Sequence, residues 1–151
     1  MLTSRQVELV QSSFLLVEPI LEKATSIFYD RLFDLDPSLR QLFRKPREEQ
    51  ERVLAHTLTV VVKSLDRPEL REAIESLGRR HTGYGVRDAN YTTFGAALLW
   101  TLETVLGEAC TAEIRSAWTA VYGSLAFTMR RVSATRSDLD DTRPMLAMAA
   151  V

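Results

Sequence analysis

LGRRHTGYGV, residues 77–86, decides how this chain is read. A helical pattern runs into it and stops. At the stop sits His81, one of only two histidines, followed by Gly83 and Gly85. Both glycines permit a tight or positive-φ turn that carries the chain away from the imidazole. A histidine at the C-terminal end of a helix has two uses. It can sit at the surface, favoured by the helix dipole, or it can offer a ring nitrogen to a metal.

Outward from this stretch the chain is helical. Nearly every apolar segment repeats with a period of 3.6 residues, and no stretch alternates as a strand would. Thr3 and Gln6 form a capping-box pattern before a first helix with Val7, Val10, Phe14 and Val17 on one face. Pro19 separates it from a second helix running from Ile20 to Leu35. Asp36-Pro37 opens a short turn, PSLRQLF, that ends near Phe43. Lys45-Pro46 breaks the chain before a long helix from about Arg47 to Lys63. Asp66-Arg67-Pro68 is expected to cap the helix that ends at the opening stretch. Asp88 starts another, stopped by Gly107. Thr111 and Glu113 begin the last, which carries Ile114, Trp118, Val121, Leu125 and Met129. This predicts one all-α domain over residues 1–133. The polar, proline-containing tail, 134–151, is expected to be loosely ordered.

Composition narrows the function. The chain has 151 residues, 46% hydrophobic and 26% charged, with 19 basic and 20 acidic side chains for a net charge of −1. So balanced a surface argues against nucleic acid as a partner. No apolar run is long enough to enter a membrane, and no signal peptide is evident at the N-terminus. One cysteine, Cys110, permits no internal disulfide and suits a cytoplasmic setting. Two histidines and one cysteine are too few for an ordinary zinc site. A metal here would hang mostly on something other than side chains.

The long helix from Arg47 places Gln50, Leu54, Thr57 and Val61 on one face. His56 lies about 120° away from Gln50, so it is expected at the surface. The second helix carries Phe28 and Tyr29 in an otherwise apolar stretch. A buried tyrosine needs a partner for its hydroxyl. Gln50 could be that partner, or both could address a ligand.

These stretches together resemble the globin family, most closely the single-domain bacterial haemoglobins and the globin part of flavohaemoglobins. IFYDRLFDLDP, LRQLF, EEQERVL, LGRRHTGYGV, NYTTFGAALLWTLETVLG and AWTAVYG match the family in order, over about residues 4–132. The resemblance implies a globin fold holding haem b (iron protoporphyrin IX), with His81 as the proximal iron ligand. It implies distal, ligand-stabilising roles for Tyr29 and Gln50. It gives Phe43 as the ring wedged against the haem, Leu54 as an apolar gate and Arg80 as a partner for a haem propionate. Phe28, Val86, Tyr91, Phe94, Leu98 and Leu125 are expected to complete the pocket.

The implied function is reversible, high-affinity oxygen binding for transport, storage or scavenging, with carbon monoxide and nitric oxide as further ligands. The alternative is nitric oxide detoxification, as a nitric oxide dioxygenase served by a separate reductase. A gas sensor is a third reading, without a signalling domain to support it. The chain is expected to be a monomer or a weak homodimer. It departs from the family at one place. Flavohaemoglobins back the proximal histidine with a tyrosine, matched by Tyr91, and a glutamate, whose position falls on Ser133. No acidic residue lies between Glu113 and Asp138. The missing carboxylate favours binding over oxygen activation.

Overall fold

A computed structural model describes residues 2–134. It contains six α-helices: α1 Ser4–Val17, α2 Leu21–Leu35, α3 Arg47–Lys63, α4 Leu70–Gly83, α5 Asp88–Leu106 and α6 Ala112–Ala134. Short 3₁₀ turns at Glu18–Ile20, Pro37–Leu42 and Gly107–Ala109 join them, and no strand occurs among the described residues. Apart from Ala134, the last residue of α6, the expected tail lies outside the described residues.

Local chemistry sets most of the boundaries. The Thr3 hydroxyl accepts from the Gln6 backbone N–H while Gln6 Oε1 accepts from Thr3 N–H, so two of the orphan donors of α1 are satisfied. In α3, Glu48 and Glu49 sit in the first turn and Lys63 in the last, complementing the helix dipole at both ends. Gly107, at φ +56°, closes α5. Thr111 accepts from Ile114 N–H at the start of α6.

Two expectations about local geometry are corrected. Asp66-Arg67-Pro68 does not cap α4: the cap residue is Glu69, which makes no side-chain capping bond. Of Gly83 and Gly85 only the second has a positive φ, of 92°, and Gly83 is the last residue of α4. A single left-handed residue suffices to turn the chain, with Val86 N–H closing back onto the His81 carbonyl.

α1, α2, α5 and α6 enclose the larger apolar core, built around Val10, Phe14, Phe28, Leu32, Phe94 and Trp118. A second, smaller cluster holds Ile74, Leu77, Val86, Tyr91, Ala126 and Met129 between α4, α5 and α6. Leu42, Tyr122 and Leu125 border both. α3 packs on α2 and, less closely, on α1, whereas α4 packs extensively only on α6. α3 and α4 come close along little of their length and meet through side chains, with Val61 of α3 packed on the cluster that holds Ile74 and Leu77 of α4.

Candidate functional site

His81 sits in the last turn of α4, at 0% exposure. Neither Nδ1 nor Nε2 meets hydrogen-bond geometry with a partner, although the Leu77 carbonyl lies near enough to favour a proton on the ring. Burial pushes its pKa down to about 4, with the Leu77 carbonyl opposing and the neighbouring Arg80 charge assisting. At neutral pH the ring is therefore uncharged, as a metal ligand must be. A buried imidazole with two idle nitrogens is costly unless something else takes them up.

The opposite wall comes from α2 and α3. Tyr29, 1% exposed, and Gln50, 3% exposed, are both enclosed by apolar neighbours. The Tyr29 ring meets Phe28, Phe33 and Phe43 at centroid distances of 5.2, 5.9 and 5.4 Å. Desolvation raises its pKa well above the ordinary tyrosine value, so the hydroxyl stays a donor. Gln50 Oε1 has no partner. Leu54 is buried one turn further along the same face, while His56 points outward and is exposed.

The other predicted residues fall as follows. Phe28, Val86, Tyr91, Phe94 and Leu98 are buried; Phe43, Arg80 and Leu125 are half-buried. Tyr91, Phe94, Leu98 and Leu125 line one apolar cavity of about 70 Å³, together with Leu77. Phe28, Leu54 and Leu98 line a second of about 30 Å³. Leu58, Leu98 and Trp118 face both. Arg80 Nε is buried without a partner.

The Tyr91 hydroxyl, too, is buried and unpartnered, and its pKa is pushed up to about 12 by desolvation. This is where the absent carboxylate shows. Ser133 instead hydrogen-bonds the Thr82 hydroxyl, next in the chain to His81, and donates to the Met129 carbonyl at 3.1 Å.

Sequence reasoning missed the residues that bring these walls together. A Cβ on Gly78 would lie 2.7 Å from Met129 Cα, so glycine is what lets α4 approach α6. A Cβ on Gly95 would meet the Tyr122 ring at 2.6 Å. Tyr122 stacks on Phe94 at 6.0 Å and donates to the Tyr91 carbonyl at 2.7 Å. The available signal was a glycine inside each of two helical patterns, which costs helix propensity and so points to close packing.

Among the described residues no group of three or more His, Cys, Asp or Glu side chains is arranged to hold a metal ion. None of the described helices is long and apolar enough to cross a membrane.

An all-helical domain with a buried histidine on α4 and a buried Tyr–Gln pair on α2 and α3 has counterparts among known proteins. The Globin family model matches residues 26–129, and the chain belongs to the globin family. The flavohemoprotein of Bordetella pertussis is 37% identical over 109 residues, 70% of this chain and 27% of that protein. That of Bacillus subtilis is 28% identical over 130 residues, 83% of this chain and 33% of that protein. The chain thus spans about a quarter to a third of the length of these relatives. Among solved structures, an engineered carbene transferase built from a candidate nitric oxide dioxygenase of Rhodothermus marinus superposes with a TM-score of 0.75 at 27% identity. The match covers 89% of this chain and 95% of that one. A hexacoordinated heme protein from an anhydrobiotic tardigrade shares the fold, with a TM-score of 0.77 at 20% identity over 88% and 96% of the two chains.

Proposed function

We propose that this globin binds haem b through His81 and takes up dioxygen reversibly. The observation that carries the reading is the fully buried His81 imidazole with two idle nitrogens, in a globin-family chain. Further support is the unpartnered Arg80 Nε and Gln50 Oε1. These residues fit such a group: the neutral ring supplies the axial nitrogen, and Arg80 the cation for a propionate. Phe28, Phe43, Leu54, Val86, Phe94, Leu98 and Leu125 supply an apolar enclosure, backed by Tyr91.

Haem, if bound, would supply an iron able to take up a diatomic gas. Every other contribution is the protein's. The Tyr29 hydroxyl and the Gln50 side-chain amide are donors held in a water-poor wall. A donor bond to a partly anionic ligand is worth about 1.5–3 kcal/mol, and about 1.4 kcal/mol is tenfold in equilibrium. The pair therefore favours dioxygen over carbon monoxide, which carries less charge when bound. Absorption spectra of the purified protein, oxidised, reduced and carbon-monoxide-treated, test the reading together with His81→Ala. A native protein that stays colourless when supplied with haemin overturns it.

The second reading is nitric oxide dioxygenase. The flavohemoprotein relatives and the Rhodothermus marinus neighbour favour it, and the same donors serve it. It requires an external reductase if the chain acts alone. Sustained nitrate formation over many turnovers with added reductant distinguishes it from the binding role. Ser133 in place of an acid weighs toward binding. We place the protein in the cytoplasm, where a lone cysteine stays reduced.

A further inference from the structure

A groove of about 1380 Å³ runs between α1, the α3–α4 connection, the start of α4 and the last turns of α6. Tyr29, Gln50 and His81 do not line it, although Val62, Ile74 and Leu125 face both it and the 70 Å³ cavity. Leu15 and Phe127 line it and are 62% and 67% exposed, with Val7 and Leu70 beside them. Two large apolar side chains left that open in one groove mark a surface that binds something.

Its rim is basic. Lys63, Arg67, Arg71 and Arg131 line it against two acids, Glu8 and Asp66. Arg71 and Arg131 both bond Glu75, at 3.2 and 3.4 Å, so two guanidinium groups share one carboxylate.

We propose that the chain's own C-terminal segment, TRSDLDDTRPMLAMAAV, residues 135–151, is the occupant. It leaves from Ala134, the end of the helix whose last turns form one side of the groove. Its sequence order suits the groove. The Asp138, Asp140 and Asp141 run, set between Arg136 and Arg143, would meet the Arg71 and Arg131 end, and Met145, Leu146 and Met148 would follow toward Leu15 and Phe127. Methionine and leucine suit an irregular apolar trough. Reach is ample. Eleven residues from Ala134 to Met145 span up to about 36 Å, and α6 rises only about 10 Å from Phe127 to Ala134.

The strap deepens the architecture rather than the haem reading, on which it does not depend. α4 packs extensively on α6 alone. A segment seated on Leu70 and Arg71 ties the start of α4 to α1 as well.

Hydrogen exchange on the full chain tests this, with Phe127→Asp and the triple change Asp138→Asn, Asp140→Asn, Asp141→Asn as variants. Phe127 is mostly exposed, so its replacement leaves the core alone, which far-ultraviolet circular dichroism checks. The expected result is that amides of residues 145–148 exchange at least about tenfold slower than in the isolated 135–151 peptide. Both variants, and high salt, remove the slowing. Exchange at the free-peptide rate in the native chain overturns the proposal, as does slowing that neither variant relieves. Slowing that disappears on dilution, in step with a dimer dissociating in sedimentation, assigns the groove to a second copy instead.

Discussion

Thr82 and Ser133, 51 residues apart in the chain, meet hydroxyl to hydroxyl and so tie the turn that carries His81 to the last turn of α6. Ser133→Ala removes this tie. The expected cost is about 0.5–1.5 kcal/mol, read as a lower urea midpoint. Ser133→Glu puts a carboxylate at the same place, beside the turn of His81. In the haem-loaded protein an anion there stabilises the more positive ferric state, so the reduction midpoint should fall. A midpoint that does not move disconnects Ser133 from the proximal ring.

His81→Ala should abolish tight haem uptake, and free imidazole should restore the colour in part. The measurement is a Soret titration with haemin. Uptake equal to that of the native chain would leave the idle nitrogens of His81 without a purpose.

Tyr29→Phe should speed dioxygen release at least about tenfold while leaving carbon monoxide release little changed. Stopped-flow replacement of each gas reads the two rates. Equal acceleration of both would show that Tyr29 acts by shape and not by its hydroxyl.

Gly78→Ala and Gly95→Ala should differ in kind. At Gly78 the new methyl meets the Met129 backbone, which cannot step aside, so α4 is displaced from α6 at a cost of about 1–3 kcal/mol. At Gly95 it meets the Tyr122 ring, a side chain that can move, at the expense of the bond to the Tyr91 carbonyl. Thermal unfolding should fall more for Gly78→Ala. The reverse order would place the tighter helix contact at α5.

Alkaline stability should depend on Tyr122. Burial raises its pKa above the ordinary tyrosine value of about 10. The folded state therefore holds the phenol's proton more tightly than the unfolded state does. The stability this gives is fully present below about pH 10 and is lost as pH rises beyond it. Urea midpoints should decline above that pH, and Tyr122→Phe should flatten the decline. An unchanged slope in that variant would assign the loss to other groups.

Much of this fold was legible because its signals are local. The bounds of α3 at Arg47 and Lys63 follow from Pro46, the acidic first turn and the basic end. The start of α1 follows from Thr3 and Gln6. Period alone placed Gln50 and Leu54 inside and His56 outside. What was not legible depends on two helices meeting. Nothing near Gly78 in the chain names Met129, and nothing near Gly95 names Tyr122. The failed cap at Asp66 has a local origin instead. The chain takes a turn there, with Arg67 N–H on the Ser64 carbonyl, and α4 begins only at Leu70.

Because α4 packs extensively only on α6, its release should cost the free energy of a local opening and not of global unfolding. Its amides should therefore exchange before those on the Phe14–Trp118 side of the core.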